Sequence, residues 1–116
     1  MTRLTLVHNT SGLAQIWQKR LSTWRSLWSD FNTHPASSTS PQAPEYDALQ
    51  ADMDALGNFC SAGEHLLMLT PAPDSSALLE KMDIWWETGG PHRSDRAETF
   101  SALRADVERL SKSIVT

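Results

Sequence analysis

At 116 residues, with 40% hydrophobic and 21% charged residues, the sequence has the length and composition of one globular domain, not of a disordered chain. Its single cysteine, Cys60, excludes an intrachain disulfide, so a reducing compartment is acceptable. The segment Met1–His8 is too short and too polar for a signal peptide, and the longest apolar run, Leu66–Leu69, is far too short to span a membrane. We therefore predict a soluble, cytoplasmic protein of one domain, residues 1–116.

The net charge of −4 is unevenly distributed along the chain. Residues 1–33 hold four basic residues and one acidic residue, whereas residues 34–70 hold five acidic residues and no lysine or arginine. Two interpretations fit this segregation. Either the terminal helices pack beside the middle ones and neutralise them, or the acidic middle is a surface for a basic partner.

A first helix is predicted from about Ser11 to Phe31. Its apolar residues recur at spacings of three and four, which places them on one stripe: Ala14, Trp17, Leu21, Trp24, Trp28 and Phe31. Leu13, Ile16 and Leu27 make the stripe wide enough to contact two neighbouring elements. Tryptophans bury about 150–250 Å² each, so three on one face favour a core position. An exposed binding face is the alternative.

Residues 32–44 are predicted to be a flexible linker, because three prolines and a cluster of serine and threonine interrupt any helix there. A second helix follows over about Glu45–Leu69. Its seam alternates spacings of three and four, with Phe59 and Leu66 beside it: Tyr46, Leu49, Met53, Leu56, Cys60, Gly63 and Leu67. Gly63 on this seam permits close approach by a neighbouring helix.

The segment Thr70-Pro71-Ala72-Pro73-Asp74 separates the second helix from a third. Thr70 can cap the start of a helix, and Pro71 fits the first helical position, where a backbone N–H has no intrahelical partner anyway. The third helix is expected from about Asp74 to Glu87, ended by Gly89-Gly90-Pro91. The chain must therefore fold back on itself at this segment.

A fourth helix is predicted to begin near Ser94 or Asp95, with a regular seam of Phe100, Leu103, Val107, Leu110 and Ile114. Apart from Leu4–Val7, no segment alternates apolar and polar residues as a strand would. The predicted fold is all-α. It is a four-helix arrangement with a central antiparallel helical hairpin, about 45–69 and 74–87, against which the first and fourth helices pack.

The second, third and fourth predicted helices carry several short motifs, and the resemblance described next extends over about residues 45–110: Glu64-His65-Leu66-Leu67, Thr70-Pro71-Ala72-Pro73-Asp74, Ala77-Leu78, Lys81-Met82 and Leu103-Arg104-Ala105-Asp106-Val107-Glu108-Arg109-Leu110. In these motifs, and in its tryptophan-containing first helix, the sequence resembles a set of short uncharacterised alphaproteobacterial helical proteins associated with prophages or mobile regions. The resemblance implies a phage-linked accessory protein and supplies no activity and no catalytic residues. The Trp85-Trp86 pair departs from the usual third helix of that set.

Signatures of enzymes are missing from the sequence. It has no Gly-rich phosphate loop, no Gly-x-Ser-x-Gly elbow and no His-Glu-x-x-His pair. The four histidines stand in four different segments, which disfavours a metal site, and Cys60 on the seam is predicted to be a buried thiol. The fourth helix interleaves basic with acidic residues and the pI is about 5.4, so direct nucleic-acid binding is not expected. We predict no enzymatic activity, no metal and no cofactor.

The third helix presents the most unusual predicted surface. Its apolar arc has both tryptophans near the edges: Leu78, Leu79, Met82, Trp85 and Trp86. Beside the arc, Glu80, Asp83 and Glu87 recur at spacings of three and four, where like charges repel unless a basic group faces them. That basic group comes either from the first or fourth helix or from a partner protein.

These features favour a non-enzymatic, phage-linked interaction protein that inhibits or modulates a host protein, for example a bacterial immune complex. The residues predicted to bind this partner are Glu80, Asp83, Trp85, Trp86 and Glu87. The alternative is a structural, self-assembling protein that forms a homodimer through the Trp-rich face of the first helix. Neither hypothesis involves a membrane.

Overall fold

Four α-helices form the fold of residues 2–115: α1 (Thr2–Asn32), α2 (Tyr46–Leu69), α3 (Ser75–Glu87) and α4 (Arg96–Val115). The computed structural model describes the backbone over these residues and the side chains of residues 12–112. No strand occurs within the described backbone. The predicted all-α fold with four helices is therefore confirmed.

The helices α1 and α2 pack side by side in opposite directions. Leu27 of α1 approaches Gly63 so closely that a Cβ added at the glycine would lie 3.2 Å from the leucine Cδ1. Seven residues earlier in α1, the Arg20 guanidinium donates a hydrogen bond to the hydroxyl of Thr70, 2.8 Å away and seven residues later along the chain. The close approach predicted at Gly63 is confirmed.

The junction between α2 and α3 differs from its prediction in one respect. Thr70 ends α2 instead of starting α3: its N–H donates to the Leu67 carbonyl, and its φ and ψ of −76° and 129° are extended. A residue that precedes proline avoids helical backbone, so Pro71 stops α2 at this point. The N-cap of α3 is Asp74, whose Oδ1 accepts a hydrogen bond from the Ala77 N–H at 2.8 Å. The capping role predicted for Thr70 and the first helical position predicted for Pro71 were therefore both wrong, because α3 begins at Ser75.

After α3 the chain returns to α2. Arg93, which follows α3, donates a hydrogen bond from its guanidinium to Glu64 of α2 at 3.0 Å. The last helix, α4, then packs on both α2 and α3. The chain therefore turns at the predicted junction and returns to α2 at Arg93, but α2 and α3 are held together mainly by α4 and hardly pack on each other directly.

All four helices contribute to one apolar core, together with Ala72 of the junction: Trp17, Leu21, Leu67, Met68, Ala77, Leu78, Ile84 and Leu103. Trp17 is only 1% exposed, and Trp24 packs against this core with its indole N–H donating to Glu64 at 3.2 Å. Trp28 stacks edge to face on Phe31, with ring centroids 5.4 Å apart. Trp17 thus lies in the core, Trp24 packs against it and Trp28 is half-buried, which fits the core interpretation better than an exposed binding face.

Part of the predicted linker is folded. Pro35–Ser38 form a 3-10 helix that contacts α2, and Ala36 within it is buried. The His34 side chain caps this turn, because its Nδ1 accepts a hydrogen bond from the Ala36 N–H at 3.1 Å. The prolines that interrupt α1 therefore also start a new short element, whereas the prediction treated residues 32–44 as flexible throughout.

The buried face of α4 is rotated from its predicted seam. Leu103 is buried as expected, but Phe100 is 57% exposed and Val107 is 45% exposed. Thr99 and Asp106 occupy the buried positions instead. Both polar side chains are hydrogen-bonded, which removes most of the cost of burying them. The seam prediction for Phe100 and Val107 was wrong, because it counted only apolar residues as buried.

Candidate functional site

An apolar groove of about 460 Å³ runs between α3 and α4. It is lined by Met82, Asp83, Trp85, Trp86, Phe100, Leu103, Arg104 and Val107. Trp86 is 69% exposed and Met82 is 44% exposed, so the α3 wall of the groove leaves large apolar side chains in contact with solvent. Contiguous exposed apolar surface of this kind typically marks an interaction site in a folded domain.

The opposite face of α3 holds the helix in place through a buried charge. Lys81 is 0% exposed, and its Nζ donates to Asp106 of α4 at 2.6 Å and to the Thr70 carbonyl at 2.8 Å. Burial lowers the pKa of Lys81, although the hydrogen bond with Asp106 acts in the opposite direction. This ion pair joins α3, α4 and the end of α2 at a single point.

The Asp106 carboxylate also binds the segment between α2 and α3. Asp106 also accepts hydrogen bonds from the Ala72 N–H at 3.2 Å and from the Arg109 guanidinium at 3.1 Å. Arg109 in turn donates to the Ala72 carbonyl. The backbone between the two prolines of the junction therefore has its polar groups satisfied by α4 side chains, which fixes the angle at which α3 leaves α2.

Trp85 forms the floor of the groove. Its indole N–H donates to the Thr99 hydroxyl at 2.8 Å, and its ring lies 6.2 Å from that of Phe100. These contacts connect α3 and α4 along the groove and hold its aromatic side chains in a defined orientation. The groove is therefore preorganised in the free chain, and preorganisation lowers the entropic cost of binding for any ligand that fits it.

The predicted acidic stripe on α3 is divided between two environments. Glu80 accepts a hydrogen bond from Arg25 of α1 at 2.7 Å, so a basic residue of the first helix faces it. Asp83 lines the groove, and neither Asp83 nor Glu87 forms an ion pair with a side chain of residues 12–112. On the α4 side, Arg104 also lines the groove and pairs with the exposed Glu108 at 3.5 Å.

Of the five residues predicted to bind a partner, the structure brings Asp83, Trp85 and Trp86 together in the groove. Glu80 lies beside α1 instead, and Glu87 is exposed at the last position of α3 without lining the groove. Sequence reasoning missed the α4 wall, formed by Phe100, Arg104 and Val107. Thr99 and Asp106 are seven residues apart, as Phe100 and Val107 are, so the sequence does allow α4 to bury a face with Thr99 and Asp106 instead. Nothing in the sequence shows, however, that these two polar side chains are hydrogen-bonded.

A second polar cluster lies where the chain returns from α3 to α2. Arg93 donates to both carboxylate oxygens of Asp95, at 2.8 and 3.0 Å, and His65 Nδ1 lies 2.7 Å from the same carboxylate. The hydrogen bonds from Arg93 lower the pKa of Asp95 to about 2, although its burial acts in the opposite direction. Asp95 therefore remains ionised and ties the start of α4 to α2.

This cluster lacks the remaining parts of a hydrolase site. A histidine oriented by a carboxylate acts as a base only when its other ring nitrogen faces a nucleophile. The His65 Nε2 lies 3.6 Å from the carboxylate of Glu98, and no hydroxyl or thiol of residues 12–112 is hydrogen-bonded to it. Cys60 is fully buried, and burial raises the pKa of its thiol, which disfavours a reactive thiolate.

Over the side chains that the structure describes, no three His, Cys, Asp or Glu residues are grouped as metal ligands. No helix within residues 2–115 combines the length and apolarity that crossing a membrane requires.

Comparison of the chain with protein-family models, with curated proteins and with solved structures gives no match. The resemblance to phage-associated proteins therefore stays a prediction.

Proposed function

We propose that this protein is a non-catalytic protein-binding domain whose partner docks in the groove between α3 and α4. The observation that carries this proposal is the inverted placement of residues on α3. Lysine is among the side chains least often buried, yet Lys81 is fully buried while Trp86 on the same helix is 69% exposed. The inner face of α3 anchors the helix through core residues and the Lys81–Asp106 pair, and the outer face, which exposes apolar side chains, is the face that we assign to binding.

The shape of the groove favours a macromolecule over a small ligand. Pockets for small molecules usually bury 70–90% of the ligand. Here the wall residues themselves are half exposed, and Trp86 extends well into solvent. Tryptophan and arginine are the residues most enriched at the energetic centres of protein interfaces, and the groove provides Trp85, Trp86 and Arg104.

The proposal is tested with two matched variants and affinity capture from the cells that produce the protein. Val107→Glu places a charge in the groove, whereas Leu79→Glu places one at a 64% exposed site of α3 that does not line it. We expect the wild type and Leu79→Glu to retain the same protein in stoichiometric amounts, and Val107→Glu to lose it. Equal retention by both variants would show that the groove is not the binding surface.

A host protein as the partner, bound by a phage-linked inhibitor, is the finer form of this proposal. It rests on the sequence resemblance, and the identity of the captured protein tests it. The alternative function, a homodimer through the Trp-rich face of α1, predicts a dimer at micromolar concentration in sedimentation velocity. Because Trp17, Trp24 and Trp28 pack within the chain, we expect a monomer.

A further inference from the structure

The groove between α3 and α4 has the dimensions of one helix face. Its exposed α4 wall extends from Phe100 to Val107, which is two helical turns or about 10 Å. Met82 and Trp86, one turn apart, form the facing wall on α3. Two neighbouring helices with an apolar trough between them accept the side-chain ridge of a third helix.

Other peptide conformations fit this surface less well. An added strand needs a sheet edge, and residues 2–115 form only helices and turns. A proline-rich segment leaves its own carbonyls without internal partners and needs donors from the groove. The Trp85 indole N–H, which lies at the floor, is already hydrogen-bonded to Thr99, so the side-chain donors left for such a segment are those of Trp86 and Arg104 at the rim.

The charges beside the groove specify the partner further. Asp83 and Glu87 are four residues apart, so they lie on one side of α3, about 6 Å apart along its axis. Neither forms an ion pair with a side chain of residues 12–112, whereas Glu80 is paired with Arg25 and Arg104 with Glu108. The α3 side of the groove is therefore negative and the α4 side is balanced.

We propose that the partner inserts an amphipathic helix whose apolar stripe fills the groove and whose two basic residues, one turn apart, face Asp83 and Glu87. This inference rests on the proposed function and names the class of partner that the groove takes. The basic residues raise the association rate and set the register of the bound helix, while the apolar stripe supplies most of the affinity.

A second copy of this chain does not meet the requirement. Its basic residues one turn apart are Arg93 with Arg96 and Arg109 with Lys112. Each pair contains an arginine that is already bound within the chain, because Arg93 donates to Glu64 and Asp95, and Arg109 donates to Asp106 and the Ala72 carbonyl. A second copy therefore cannot offer such a pair to Asp83 and Glu87 without breaking contacts of its own fold. The partner is a different protein.

The test uses two blocked, fluorescein-labelled helical peptides with the same alanine-based scaffold and the same leucine stripe. One peptide has two lysines a turn apart beside the stripe, and the other has two glutamates at those positions. Binding to the full chain is measured by fluorescence anisotropy at low and high salt. We expect the lysine peptide to bind about tenfold more tightly at low salt. We expect this preference to disappear near 1 M salt, where charges are screened within about 3 Å.

Protein variants test separately whether the groove binds a helix and whether Asp83 and Glu87 select a basic one. Asp83→Asn/Glu87→Gln should remove the preference for lysine and leave binding of the stripe, whereas Val107→Glu should abolish binding of both peptides. Equal affinity for the two peptides, lost only in Val107→Glu, would overturn the basic-helix partner and leave the groove as a binding site. No binding of the lysine peptide up to about 1 mM, or tighter binding of a proline-rich peptide, would overturn the helical partner itself.

Discussion

Lys81 and Met82 are adjacent in the chain and occupy each other's usual environments. Lys81 is completely buried and paired with Asp106, whereas Met82 is 44% exposed on the wall of the groove. The inner face of α3 therefore combines apolar core residues with a buried ion pair, and the outer face offers apolar surface to solvent. Burying a lysine and exposing a methionine are each unfavourable in free energy. The inner face therefore fixes the position of α3, and the outer face is the surface that we propose for the partner.

The inner face can be disrupted with Asp106→Leu, and this variant should have the largest effect. It leaves the fully buried Lys81 without its carboxylate, and unpaired buried charges of this kind cost about 3–5 kcal/mol of unfolding free energy. Urea unfolding followed by circular dichroism measures the change. The control Glu108→Leu lies on the same helix with an exposed side chain and should stay within about 0.5 kcal/mol of the wild type.

A double variant sharpens this test. Lys81→Met/Asp106→Leu removes both charges, so it should be more stable than Asp106→Leu alone, although the Ala72 N–H still loses its acceptor. If Asp106→Leu matched the wild type, the ion pair would not be what holds α3 in place.

The polar cluster at Asp95 predicts a pH dependence with a defined sign. The pKa of Asp95 is about 2 in the folded chain, below the value near 3.9 expected when it is unfolded. Its contribution to stability is therefore complete above about pH 5 and is lost as the pH falls towards 2. Asp95→Asn should lower the unfolding free energy by about 2 kcal/mol at pH 7 and have little effect near pH 2.

Urea unfolding at several pH values measures this difference. Asp47→Asn is the matched control, because Asp47 is exposed on α2, and it should show no comparable dependence. A constant difference between Asp95→Asn and the wild type over the whole range would mean that the charge of Asp95 is not the stabilising feature.

On the outer face, a substitution should separate binding from folding. Trp86→Ala removes a side chain that is already 69% exposed, so stability should change by less than about 0.5 kcal/mol. Loss of an interface anchor costs about 2 kcal/mol or more, which corresponds to roughly thirtyfold faster dissociation. Stopped-flow displacement of the bound lysine peptide measures the rate. Phe59→Ala, at a 63% exposed site on α2, should leave that rate unchanged.

The acidic residues should give the smallest effects on stability, and those effects should differ along the stripe. Glu80→Gln removes an exposed pair with Arg25, which is worth about 0–1 kcal/mol. Asp83→Asn/Glu87→Gln should leave stability unchanged and slow association of the lysine peptide, with a difference that fades as salt rises. Unchanged association in the double variant, together with a loss of stability, would place the whole stripe in the fold.

Periodicity located the second, third and fourth helices well, whereas α1 begins at Thr2 instead of about Ser11 and includes Leu4–Val7. It located the buried faces less well. The seam of α2 correctly contains Cys60 and Leu67, and Gly63 correctly marks close packing. On α3, by contrast, Ile84 lies outside the apolar arc and is nevertheless buried, next to the buried Lys81. An apolar pattern cannot identify such a face, because the compensating carboxylate comes from a residue 25 positions away.

The candidate site was also predictable only in part. The tryptophan pair Trp85-Trp86 stands out in the sequence as an unusual surface and does lie in the groove. Phe100 and Val107 look like core residues, and only the paired burial of Thr99 and Asp106 shows why they are free to line the groove. Glu80, and not Asp83 or Glu87, pairs with Arg25 because of how α1 lies relative to α3. The spacing of residues within one helix does not determine that relative position.

The central claim, that the outer face of α3 and α4 is the binding surface, is tested most directly by site-specific photo-crosslinking in the producing cells. A benzoylphenylalanine replaces Trp86 in one variant, and Leu79 or Phe59 in two others of similar exposure. We expect a single crosslinked partner from position 86 and none from positions 79 and 59. A partner crosslinked from position 79 or 59, with none from position 86, would contradict the claim.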